Sequence, residues 1–177
     1  MTLLRPWLET DFSLGPKRGL GSLLIACAAG LGFGAWMALA DSTAFAGIIP
    51  ASQTRLFEQT PLAVLLPGIG YLVLYDEIVL RLLAMPVLAW LLHVVTGRRS
   101  GIIRWTSILV TACLFWPLSS RGYIGTLDWS ALTLLREVVL HCAAGTLWGW
   151  LCWRHGWVSG LVGHLSAYGT LLPLLII

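Results

Sequence analysis

Three groups of side chains in this chain have the types and spacing to handle protons: Asp76, Glu77 and Arg81 in "DEIVLR", Arg136, Glu137 and His141 in "LLREVVLHCAAG", and His164 in "GHLSAY". Each is set in an apolar run. The stretch "YLVLYDEIVLRLLAMPVLAWLL", 71 to 92, reads as a membrane helix apart from its two adjacent carboxylates and its arginine. Ionisable groups in hydrocarbon cost on the order of a few kcal/mol, so they are paired or functional and face a bundle interior. The chemistry such a set supports is water activation. A carboxylate takes a proton from water, an imidazole shuttles it, and a fixed donor steadies the developing oxyanion.

A structural alternative stands beside each group. Glu77 and Arg81 are four apart and share a helix face, so they can neutralise one another as an ion pair. Asp76 then points about 100° away and needs a partner of its own, for which His164 is the candidate. Glu137 and His141 are also four apart and can form a self-contained pair, with Arg136 reaching toward the membrane interface. His93, near the basic loop, and His155, in "WRHG", are expected to be interfacial and inert.

These residues must be positioned by membrane helices. Of 177 residues, 58% are hydrophobic and 11% charged, with a mean hydropathy of +0.84, which is the composition of an integral membrane protein. The expected fold is all-α, a single membrane domain over 1–177, polytopic with five to six spans and the N-terminus in the cytoplasm. Apolar runs place the spans at 19–40, 71–96, 105–121, 129–153 and 157–177. Residues 1–18 form an amphipathic cytoplasmic lead, and the first span is expected to be retained because its apolar run begins only after Arg18. The piece from Pro61 to Gly70 looks too short to span and broken at Pro67-Gly68, so it reads as a re-entrant or interfacial segment or as an extra short span making six.

Orientation follows from the cations. With five spans, Arg5, Lys17, Arg18, Arg98, Arg99, Arg104 and Arg154 fall inside, and Arg55 and Arg121 fall outside. Asp76, Glu77 and Ser119 would then lie toward the outer leaflet. Most of the ten Trp sit near the ends of apolar runs as interfacial anchors. The small net charge of +3, mostly in loops, excludes a nucleic-acid partner. Four cysteines in or beside apolar runs, with no CxxC, argue against a disulfide framework and a thiolate zinc site. Gly145 and Gly149 share one helix face, and with Gly160 and Gly163 they are expected to let helices approach closely.

The order of these motifs resembles the CPBP family of intramembrane proteases, bacterial relatives of the type II CaaX prenyl endopeptidase. Members carry Glu-Glu-xxx-Arg at the start of one helix, Phe-xxx-His near the end of the next, and His-xxx-Asn or Asp later. Here "DEIVLR" supplies Asp76, Glu77 and Arg81, with a shorter acid in the first position; "ILVTACLFWPLSS" offers Phe115 but puts Ser119 in the histidine's place; "HLSAY" supplies His164, with Tyr168 replacing the amide or acid. The resemblance covers about 71–170.

It implies an intramembrane endopeptidase in which Asp76 or Glu77 is the base, His164 orients water or serves the oxyanion, and Arg81 holds the carboxylates. The family is described both as glutamic-type and as metal-dependent, so the cofactor is left open between zinc and none, with His164 and His141 as the metal ligands if there are any. His141 is the candidate to replace the imidazole missing at Ser119, supported by Glu137. Expected partners are membrane lipid and a membrane-anchored protein substrate, cut near its C-terminal anchor on the outer side. The expected location is the bacterial cytoplasmic (inner) membrane. A second reading, a catalytically degenerate scaffold or assembly factor, is favoured by Asp76, Ser119 and Tyr168. A proton-coupled carrier lacks the paired broken helices of such transporters.

Overall fold

The computed structural model describes residues 13–48, 59–97 and 101–176, all of them helix, turn or loop with no strand. Among these residues the chain forms five long helices: α1 (Leu20–Ser42), α2 (Leu62–Thr96), α3 (Gly101–Leu118), α4 (131–155) and α5 (Trp157–Ile176). A short turn of helix, Arg121–Ile124, joins α3 to α4. The lead up to residue 12, Arg55, Glu58 and the Arg98-Arg99 pair lie outside the described residues.

Three of the helices, α1, α2 and α3, are long and apolar enough to cross a membrane, which marks the chain as a membrane protein. The distribution of side chains agrees. Leu20, Val95 and Ile102 are 71%, 81% and 76% exposed, while Glu77, Arg81, Arg136, Glu137 and Asp41 are buried. An apolar outside around a polar inside is the arrangement suited to hydrocarbon.

Two segments depart from the sequence reading. The piece from Pro61 to Gly70 is neither re-entrant nor a separate span: Leu62–Asp76 is helical through Pro67 and runs on to Thr96. Without an N–H on Pro67 the helix loses one hydrogen bond, but its neighbours carry it through. Asp76 and Glu77 therefore lie at the middle of α2 and not near its start. The second departure is local winding. Glu77–Ala84, Thr111–Phe115 and Glu137–Cys142 are π-helical segments inside α2, α3 and α4. Such bulges are uncommon and gather at functional sites.

The tightest packing is between α1 and α5, which run parallel. Ser22, Ala26, Gly30, Gly34 and Ala38 recur every four residues and are buried, a stripe of small side chains. A Cβ on Gly30 would overlap the Gly163 carbonyl oxygen, and one on Gly34 would overlap that of Ala167. Backbones in this contact need small residues at both faces. Gly145 meets Ala112 and Gly149 meets Ile108, so the expected glycine face of α4 packs on an antiparallel α3.

Local chemistry fixes the helix ends. Ser130 caps α4, its Oγ accepting from the Thr133 amide at 3.0 Å. At the start of α5 the amides of Trp157 and Val158 donate to the carbonyls of Ser13 and Leu14, so the segment before α1 supplies the acceptors that the helix lacks. Gly156 makes the turn between α4 and α5 at a φ of 98°, with the Gly15 carbonyl where a side chain would stand.

Candidate functional site: two buried acid clusters

The first cluster joins α2, α4 and α5. Glu77 is 1% exposed, and its Oε1 lies 3.0 Å from His164 Nδ1, so the imidazole expected beside Asp76 binds Glu77. His164 is held face-on by Trp148, with ring centres 5.4 Å apart at 15°, and Tyr168 stacks at 6.1 Å. Tyr168 thus meets the histidine through its ring. Asp76 is half-buried, immediately before the π-helical segment and within electrostatic range of Tyr168. Trp157 Nε1 donates to the Glu77 carbonyl at 3.1 Å, which pins the backbone at the acid.

Arg81 does not hydrogen-bond to Glu77. Its Nη2 donates to the Gly145 carbonyl at 2.9 Å, while its Nε and Nη1, and the Oε2 of Glu77, are buried and make no hydrogen bond. The self-neutralised pair expected from the i, i+4 spacing is therefore not hydrogen-bonded. Two glycines explain the arrangement. A Cβ at Gly145 would stand 3.3 Å from Arg81 Nη2, and one at Gly160 would stand 3.3 Å from Glu77 Oε2 and 2.9 Å from Cys152 Sγ. Both positions were expected to serve packing alone. They also make room for the charged side chains.

The same contacts fix the position of the site along the bundle. Glu77 is tied to Trp157 and His164, in the first two turns of α5, whose start lies at the same end of the bundle as Lys17, Arg18 and Arg154. At about 1.5 Å per residue, His164 is roughly 10 Å from the start of α5. The acid site is thus nearer the basic end than the far end of α5.

The second cluster joins α1, α4 and the Arg121–Ile124 turn. Arg136 grips Asp41 with a bidentate fork, Nε to Oδ1 and Nη2 to Oδ2 both at 2.7 Å. Its Nη1 donates to Glu137 Oε1 and to the Tyr123 hydroxyl, each at 2.7 Å, and the Tyr123 hydroxyl donates to Glu137 Oε1 at 2.9 Å. Burial, the largest influence, raises the Tyr123 phenol above its usual range and keeps it a donor. Arg136 is 4% exposed, so it does not reach to the interface as its position in sequence suggests. His141 Nδ1 stands 2.8 Å from Glu137 Oε2 without the alignment of a hydrogen bond. Its ring stacks on Trp116 at 4.6 Å and 11°.

The two clusters share no hydrogen bond or ion pair among the described residues. His141 goes to Glu137 and Trp116, and His164 goes to Glu77 and Trp148. His141 thus has its own acid and ring. Ser119 directly follows Leu118 at the end of α3, and its side chain lies outside the described residues. Among the described residues no three His, Cys, Asp or Glu side chains gather as a metal site. A zinc ion needs three protein ligands in a catalytic site, and the two clusters do not supply them.

No family model matches this chain, and no curated protein or solved structure matches it. Its chemistry is read from its own residues.

Asp41 and Tyr123 are absent from the sequence reading of the site. Asp41 ends an apolar run and reads as an outside flank, and Tyr123 lies in a loop. The available signal was Arg136, a buried cation whose neighbouring acid alone leaves most of its fork unused. His155 lies at the turn between α4 and α5 at the basic end, where it is 4% exposed, with Nδ1 3.3 Å from Ser22 Oγ and its carbonyl accepting from the Lys17 amide.

Proposed function

We propose that this chain is a multi-pass intramembrane endopeptidase of the bacterial cytoplasmic membrane, hydrolysing a peptide bond near the anchored end of a membrane-bound partner protein. The observation that carries this reading is the Glu77–His164 contact at 3.0 Å, with the second carboxylate oxygen of Glu77 buried and free of hydrogen bonds. A buried oxygen of this kind is costly unless something bonds to it, and a water molecule is the reactant that fits. The resemblance to CPBP proteases points to the same residues.

In the reaction, Glu77 accepts a proton from the water, whose oxygen adds to the scissile carbonyl carbon. The proton passes to the leaving nitrogen as the carbon–nitrogen bond breaks, with His164 the available relay. The two N–H faces of Arg81 that make no hydrogen bond suit an oxyanion. Trp148 and Tyr168 hold the imidazole plane, and Trp157 fixes the acid's backbone.

The scaffold reading is favoured by Tyr168, which offers His164 a ring face where the protease pattern has an amide or acid. One experiment separates the two. The protein is co-expressed with candidate substrates ending in a short apolar helix and basic tail, and the products are weighed for wild type, Glu77→Gln and His164→Ala. Cleavage lost in both variants, with unfolding midpoints in detergent unchanged, supports the protease. Full cleavage by Glu77→Gln overturns it. Persistent absence of cleavage, together with loss of a bound partner in the variants, supports the scaffold.

A further inference from the structure

We propose that Cys113 and Cys142 are a redox-active pair that closes as a disulfide between α3 and α4, with a membrane quinone as the oxidant. The sequence has no CxxC, and these two cysteines come together only when the helices pack. Their thiols hydrogen-bond to one another across the helix pair. The register of the helices brings them to the same level. In this antiparallel contact Ala112 meets Gly145, and Trp116 stacks on His141 with ring centres 4.6 Å apart. Cys113 lies between Ala112 and Trp116 in sequence, and Cys142 lies between His141 and Gly145, so both belong to the same turn of the interface.

The backbones are close there. A Cβ on Gly145 would stand 2.9 Å from that of Ala112 and 3.2 Å from its Cα. Such an approach lets two short side chains meet, as a disulfide requires, since its Cα atoms lie within roughly 7 Å of one another. Both cysteines are also in π-helical segments, Thr111–Phe115 and Glu137–Cys142, the kind of winding that gathers at functional sites. Beside the pair, the Gly145 carbonyl accepts from Arg81 Nη2 at 2.9 Å, so a bond between the sulfurs braces the helices next to the first acid cluster.

Depth selects the oxidant. At about 1.5 Å per residue Cys113 is roughly 18 Å from the start of α3, and Cys142 is roughly 16 Å from the start of α4 at the opposite end. Both sulfurs thus lie near the middle of a hydrocarbon layer about 30 Å thick. A charged oxidant such as glutathione disulfide is excluded from that depth, whereas a quinone dissolves in it. Cys113 is exposed on the apolar outside and Cys142 is half-buried, so Cys113 is the thiol that a quinone meets and Cys142 the one that completes the bond. In the net step two S–H bonds break and one S–S bond forms. The two electrons and two protons pass to the quinone, which leaves as the quinol.

The test uses full-length protein, reduced and reconstituted in phosphatidylcholine vesicles, with decylubiquinone or glutathione disulfide as oxidant. Peptides are mapped by mass spectrometry without reduction, and quinol is followed by absorbance. Decylubiquinone is expected to give a peptide linked through Cys113 and Cys142 with one quinol formed per chain, at least about tenfold faster than glutathione disulfide gives the link. Cys113→Ser and Cys142→Ser should each abolish both the link and the quinol. Absence of the link in wild type treated with decylubiquinone overturns the proposal, whatever the variants do. Equal linking by the two oxidants, a link through Cys27 or Cys152 instead, or quinol formation that persists in either variant also overturns it.

Discussion

Arg136 is the residue on which the second cluster turns. One guanidinium serves Asp41, Glu137 and Tyr123, with Asp41 and Glu137 both 5% exposed. Replacing it with alanine strands two buried carboxylates, a loss of the kind that costs about 3–5 kcal/mol. Arg136→Ala should therefore unfold at markedly lower denaturant in detergent, while Asp41→Asn, which keeps an oxygen acceptor for the fork, should lose much less. Equal losses would contradict the bidentate grip as the main term. His155 gives the pH dependence. It lies beyond the apolar part of α4, and burial first, then the charges of Arg18, Arg154 and Lys17, hold its pKa below the ordinary value. A histidine with a lowered folded pKa binds protons more readily when unfolded. Its contribution is thus complete above about pH 6.5 and is lost as pH falls below that value toward the folded pKa. Stability measured from about pH 8 to 5 should decline over that window by no more than about 1.4 kcal/mol per pH unit from this residue, and His155→Gln should flatten the decline.

At the scale of elements, the contact between α1 and α5 offers a comparison within a single helix. Gly30 and Gly34 face the backbone of α5, whereas Gly32, between them, has open space where a side chain would stand. Gly30→Ala and Gly34→Ala should each destabilise by more than about 2 kcal/mol, because the helices must separate. Gly32→Ala should be neutral or gain up to about 1 kcal/mol from helix propensity. The check is the unfolding midpoint of the three variants in one detergent. This stripe is readable in the sequence, every fourth residue from Ser22 to Ala38 being small, yet the glycines of α4 are more conspicuous because they stand beside the motif residues. Helix limits set by composition were legible: 157–177 against Trp157–Ile176, and 129–153 against 131–155. The start of α2 was not, since Pro67-Gly68 signals a break that tertiary packing overrides. Nor were the three π-helical segments, which a 3.6-residue period cannot reveal. They matter for the site because Glu77, Arg81, Glu137 and His141 all lie in them.

For the whole molecule, the parallel packing of α1 and α5 fixes which ends lie together, independently of any charge rule. Both helices begin at the basic end, where the Ser13 and Leu14 carbonyls cap α5 and the Lys17 amide reaches the His155 carbonyl. Both finish at the other end, where Asp41 meets Arg136. The start of α1 and the finish of α5 must then face opposite sides of a membrane that the bundle crosses. With Lys17, Arg18, Arg104 and Arg154 at the starting end, the positive-inside rule predicts that end in the cytoplasm and the finish of α5 outside. A reporter active only outside the cytoplasm, fused after Ile177, should be active, and the same reporter fused in the loop after Thr96 should be silent. Activity at both fusions would require α2 to end outside. That would contradict the contacts that set Ala89 of α2 among Trp153, Ile108 and Ile103 near the basic end.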